Sequence, residues 1–136
     1  MNAPAAAPAT EVERNPYELL GGEEAVRRLV NRFYDLMETS PEAGALRAMH
    51  AADLSPMREK LCDFLSGWLG GPRRYFARPD RKCMTSAHRP FAIGTAERDQ
   101  WLACMNRALI DIGADEQTRG LLVQPLFRVA DALRNR

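Results

Sequence analysis

The 136-residue chain carries 19 basic and 18 acidic side chains, a net charge of +1, and 46% hydrophobic residues. That composition suits one globular domain with a single substantial core. It leaves no electrostatic footprint for nucleic acid or an anionic membrane surface, and no apolar run approaches the ~18 residues of a membrane span. The opening residues, Met1 to Thr10, hold neither a basic leader nor a strong apolar stretch. Residues 1–14 therefore read as a disordered tail and residues 15–136 as the folded domain. The three cysteines, Cys62, Cys83 and Cys104, are odd in number and widely spaced. They suggest neither a disulfide framework nor a zinc site, and a reducing cytoplasm is the simplest setting.

Helical periodicity dominates from the first ordered segment onward. A short helix is expected over Pro16–Leu20, broken by Gly21-Gly22. Glu23 and Glu24 favour a new helix start, and Val26, Leu29, Val30, Phe33, Tyr34 and Met37 recur every three or four residues to about Glu38. Thr39-Ser40-Pro41 closes that helix, and Pro41 opens a shorter one running through Ala43 to Met49. Asp53 or Ser55 suits the cap of the next helix, which carries Met57, Leu61, Phe64, Leu65, Trp68 and Leu69 and stops at Gly70-Gly71-Pro72. Arg73 to Lys82 reads as a basic loop with a little helix around Arg74–Ala77. A short helix ends at His88, ahead of Pro90. Thr95 begins a long helix with Trp101, Leu102, Met105, Ala108, Leu109 and Ile112 on its inner stripe, ending at Gly113. Asp115 caps the last, which carries Leu121, Leu122, Leu126, Val129, Ala130 and Leu133; Pro125 within it predicts a kink or a split. The class is all-α, and a helical class alone names no function.

Few residues carry chemistry. His88 reads either as a surface histidine at a helix C-terminus, where positive charge is favourable, or as a single axial ligand to haem. Haem needs only one protein ligand, because the porphyrin supplies the other four nitrogens. The remaining ring nitrogen then needs an acceptor, and the Met84 carbonyl one turn earlier is available. An apolar slot would come from Phe64, Leu65, Trp68, Met84, Phe91, Ile93 and Met105, although such stripes equally build an ordinary core. Tyr34 and Trp101 lie on apolar helix faces and carry polar hydrogens, suited to backbone acceptors or to a polar ligand. Cys83 stands beside Lys82, which would lower its thiol pKa.

Five segments in order, "YELLGGEEAVRRLVNRFYDLM", "LRAMHAADL", "FLSGWLGGP", "AHRPFAIG" and "ERDQWLACM", make the stretch from Asn15 to Arg136 resemble the group II truncated haemoglobins. The resemblance implies a shortened globin, a two-over-two helical sandwich around haem b. It implies His88 as the proximal iron ligand, Tyr34 and Trp101 as distal hydrogen-bond donors, and His50, Met57 and Leu61 at further distal positions. Met57 would narrow the way in, and Leu61 would not bond a ligand. Cys83, Thr85 and Ala87 stand where relatives commonly carry arginines, some of which pair with haem propionates; Arg78, Arg81 or Lys82 could take their place. The implied function is binding of O2 and other diatomic ligands such as CO or NO, by a monomer or homodimer. The alternatives are a redox enzyme that reduces peroxide or dioxygenates NO with a reductase as partner, and a haem-free helical interaction protein.

Overall fold

The structure, a computed structural model, describes residues 14–136; the expected tail lies almost wholly outside them. All regular elements described are helical: α1 Pro16–Leu20, α2 Gly22–Thr39, a 3₁₀ turn Pro41–Ala43, α3 Gly44–Ala48, α4 Ser55–Trp68, α5 Arg74–Ala77, α6 Met84–His88, α7 Thr95–Asp111 and α8 Glu116–Ala132. None of these helices is long and apolar enough to cross a membrane.

The helices start and stop for local reasons. Asn15 accepts from the Glu18 N–H and the Glu18 carboxylate accepts from the Asn15 N–H, while Pro16 opens α1. Gly21 turns the chain at φ 126°, a conformation that disfavours any side chain, and α2 begins at the next residue. The Glu97 carboxylate accepts from the Gly94 N–H ahead of α7, and Asp115 accepts from the Thr118 N–H at 2.7 Å to start α8. The start of α4 departs from expectation. Leu54 occupies the cap position, Ser55 is already helical, and Asp53 accepts from the Ser55 N–H in a turn one residue upstream.

Two helical pairs stack on one another. α4 packs on α2, α8 packs on α7, and α2 against α7 joins the pairs. Val26, Leu29, Val30, Phe33 and Met37 from α2 meet Cys62 and Leu65 from α4 and Met105, Ala108 and Leu109 from α7 in the core. Leu122 and Leu126 seal it from α8. At about 25 cal/mol per Å² of apolar surface, this burial is the main stabilising term.

Two further expectations need correcting. α8 runs unbroken through Pro125. Proline deprives the Leu121 carbonyl of its helical donor, but Leu121 is 50% exposed, so water can serve that carbonyl. The same exposure removes Leu121 from the inner stripe.

Gly71 marks the closest approach in the fold. A Cβ there would lie 2.6 Å from the Tyr17 ring. The Tyr17 N–H donates to the Leu69 carbonyl and Asn15 donates to the Gly70 carbonyl, so α1 is strapped across the end of α4.

Candidate haem site

α4 has two apolar faces. Cys62, Leu65 and Leu69 are buried against the rest of the core. Met57, Leu61, Phe64 and Trp68, spaced four, three and four residues apart, form a second stripe that is only partly buried. On α7, Trp101 is likewise partly buried while Met105, one turn on, is completely so. α4 and α7 each pack on α2 and have at most marginal contact with each other. The half-buried apolar residues of α4 and Trp101 of α7 therefore belong to two helices that share α2 as their common support.

Tyr34 and Trp101 both meet Phe33, and His50 meets Tyr34. The Phe33 ring lies edge-on to Tyr34 at 4.9 Å and to Trp101 at 5.4 Å. The Tyr34 ring lies edge-on to His50 at 6.1 Å. Tyr34 is 2% exposed, and burial pushes its phenol well above the usual range, so it is a hydrogen donor at neutral pH. Neither its hydroxyl nor the Trp101 indole N–H has a hydrogen-bond partner among the described residues, and neither is sealed from open space.

Both histidines have one ring nitrogen committed. His88 Nδ1 lies 2.6 Å from the Met84 carbonyl, the acceptor expected from sequence. His50 Nδ1 lies 2.9 Å from the Leu46 carbonyl. A carbonyl only accepts, so each Nδ1 carries a proton, and Nε2 is the ring nitrogen left for another partner. Burial holds the His50 pKa below its ordinary value; the Leu46 hydrogen bond opposes this, and the charges of Arg47 and His88 add to the depression.

The segments flanking His88 are fixed by Tyr75 and Asn135, to which the sequence assigned no role, and by Arg78, which it offered to the propionates. The Tyr75 hydroxyl donates to the Lys82 carbonyl at 2.6 Å, and Tyr75 packs edge-on against Phe64. Arg78 donates to Asp63 at 2.6 Å and to Asp80 at 3.2 Å. On the far side, Asn135 accepts from the Ile93 N–H and donates to the Phe91 carbonyl. A bidentate asparagine near the chain end gives no periodic signal, so only the fold reveals it. Likewise Arg47 reaches from α3 to the His50, Ala51 and Ala52 carbonyls and to Glu38, holding the loop that bears His50.

The remaining slot candidates divide. Leu65 and Met105 are in the core, Ile93 is buried, and Met84 is partly exposed. Phe91 is 41% exposed on the turn after α6 and contributes no buried wall. Arg78 is already paired with two carboxylates, whereas Arg81 makes only a long contact to the Arg78 carbonyl. The Cys83 thiol pKa is lowered, but by its hydrogen bonds with the Ser86 hydroxyl and the Ser86 N–H rather than by Lys82. Its Sγ caps α6 by accepting from the Ser86 N–H.

These residues fit haem: a histidine whose Nδ1 is held by a carbonyl and whose Nε2 has no partner among the described residues, a half-buried apolar stripe, and two donors, Tyr34 and Trp101, with no partner among the described residues. That is the constellation of a histidine-ligated globin. Residues 15–135 match the bacterial-like globin family. The group 2 truncated haemoglobin of Bacillus subtilis is 33% identical over 107 residues, covering 79% of this chain and 78% of the relative. The group II 2-on-2 haemoglobin from the plant pathogen Agrobacterium tumefaciens superposes with a TM-score of 0.85 at 40% identity, covering 90% of this chain and 95% of that one. The structure of a truncated oxygen-avid haemoglobin from Bacillus subtilis superposes with a TM-score of 0.81 at 31% identity, covering 90% of this chain and all (100%) of that one. The chain belongs to the bacterial-like globins and, within them, to the group II truncated haemoglobins. Membership carries with it the two-over-two fold, the haem cofactor and the binding of diatomic ligands.

Proposed function

We propose that this globin holds haem b on His88 Nε2 and binds O2 under hydrogen bonds from Tyr34 and Trp101. Haem, when bound, supplies a ferrous iron able to take a diatomic ligand. The observation that carries the reading is the pair of donors without a partner among the described residues, Tyr34 Oη and Trp101 Nε1, borne on two rings that both meet Phe33 edge-on.

Each residue has a separable task. The Met84 carbonyl fixes the His88 tautomer and ring orientation. Met57, Leu61, Phe64 and Trp68 exclude water from the face of the macrocycle. The Tyr34 and Trp101 donors are held in place before a ligand arrives, so little reorganisation is needed when its partial negative charge appears. His50, with its Nε2 unprotonated, can accept from Tyr34 or from a water beside it. The propionates would fall to Arg81 or Lys82, since Arg78 is committed to Asp63 and Asp80. Oxygen avidity is stated for the Bacillus subtilis relative, and two or more donors give this chain the means for the same behaviour.

The test is absorption spectroscopy of the haem-loaded protein, ferric and then dithionite-reduced under CO. A Soret band that shifts on CO binding, together with loss of stoichiometric haem in His88→Ala, is the expected result. A His88→Ala protein that keeps a full haem complement with an unchanged spectrum would refute the ligand assignment.

A further inference from the structure

The outer face of Tyr34 is covered by a residue that the haem site itself does not account for. Arg58, on α4, places its guanidinium over the Tyr34 ring, 5.7 Å from the centroid. The same guanidinium is anchored on both sides of Tyr34 along α2. Its Nη1 donates to the Asn31 carbonyl at 3.0 Å and to the Asn31 side chain at 3.2 Å, and its Nη2 donates to Asp35 at 3.0 Å. Asn31 precedes Tyr34 by three residues and Asp35 follows it by one. The fork therefore straddles the ring, and only 23% of the Arg58 side chain is exposed.

We propose that Arg58 is a positioning residue for Tyr34: the guanidinium, tied to Asn31 and Asp35, covers one face of the ring and holds the ring, and with it the hydroxyl, in one orientation. The inference rests on the reading of Tyr34 as a donor to the ligand. Its physical basis is that a buried tyrosine can redirect its hydroxyl only by changing rotamer or by sliding outward. Phe33 and His50 stand edge-on to its ring. Arg58 supplies a further barrier from the neighbouring helix. A flat cation over an aromatic face is attractive, and its two-sided anchorage fixes it relative to α2. Lysine would keep the charge but lose the fork. Arg58 is thus required by its shape and not only by its sign.

The test is a double-mutant cycle read by stopped-flow O2 dissociation and by the stretching frequency of bound CO, in haem-loaded protein. Tyr34→Phe comes first; if it changes neither the release rate nor the CO band, the reading of Tyr34 fails before Arg58 is touched. Given that it changes both, Arg58→Met should speed O2 release by about three- to tenfold, the range such a cation–π contact supports. It should also broaden the CO band or shift it toward the Tyr34→Phe position. Arg58→Lys should resemble Arg58→Met, and Asp35→Asn, which keeps the arginine but weakens its anchor, should move both readouts the same way by less. In the Tyr34→Phe background, Arg58→Met should add nothing. An unchanged release rate in Arg58→Met, or an equal acceleration with and without the Tyr34 hydroxyl, would overturn the proposal. If Arg58→Met fails to fold, Arg58→Lys and Asp35→Asn decide it by the same criteria.

Discussion

Tyr34→Phe removes one oxygen atom from a buried ring, and the structure separates its two consequences. The hydroxyl has no hydrogen-bond partner among the described residues, so no hydrogen bond among them is lost. The ring keeps its contacts with Phe33 and His50. Folding stability should therefore change by no more than about 0.5 kcal/mol, the usual range for a substitution that breaks no contact. Ligand retention is different. A hydrogen bond to a charged acceptor is worth about 1.5–3 kcal/mol, and nothing in the protein competes for this donor. At about 1.4 kcal/mol per decade, O2 should leave about 10- to 100-fold faster. Stopped-flow displacement of O2 by CO measures the rate, and thermal unfolding of the same samples measures stability. An unchanged off-rate, or a loss of several kcal/mol in stability, would refute the reasoning: the first means that the hydroxyl does not face the ligand, the second that it serves the fold.

Other consequences can be checked alongside. Trp101→Phe should also speed O2 release, by about tenfold for one donor, while leaving CO release nearly unchanged, since CO is the poorer acceptor. Equal acceleration of both gases would point to lost packing instead. His50 has a folded pKa below its ordinary 6.5, so its neutral form stabilises the fold above about pH 6.5, and this contribution is lost as pH falls through the folded value. Between pH 7.5 and 5 the melting temperature should fall less steeply in His50→Phe than in the parent; parallel curves would mean His50 does not titrate differently on folding. Gly71→Ala puts a Cβ 2.6 Å from the Tyr17 ring and should cost about 1–3 kcal/mol, seen as a lower melting temperature. A neutral result would show that α1 shifts freely on α4.

The helices and their order were legible because α2 and α7 each carry one continuous apolar stripe with a glycine or proline at its end. The His88–Met84 bond was legible too, since it follows from helix geometry one turn apart. What escaped was anything decided by a second element. The apolar residues of α4 read as a single set, yet the fold divides them into a core face and a half-buried face. No periodicity distinguishes these, because both faces are apolar for different reasons. Pro125 reads as a helix breaker, and only the exposure of Leu121 shows why the helix continues. Arg58, Arg47 and Asn135 look like surface residues in sequence. They act through partners 27, 5 and 44 positions away, respectively to Asn31, Ala52 and Phe91. Family resemblance supplied Tyr34, Trp101 and His50 as a group; in the fold Tyr34 and Trp101 each meet Phe33, and His50 meets Tyr34.

The most direct measurement is a crystal structure of the ferrous, haem-loaded protein with a diatomic ligand bound. The account predicts His88 Nε2 on the iron with Nδ1 still on the Met84 carbonyl, and the Tyr34 hydroxyl and Trp101 indole N–H within about 2.7–3.2 Å of the ligand. Iron held by His50 instead, or Tyr34 and Trp101 both turned away from the ligand, would contradict it.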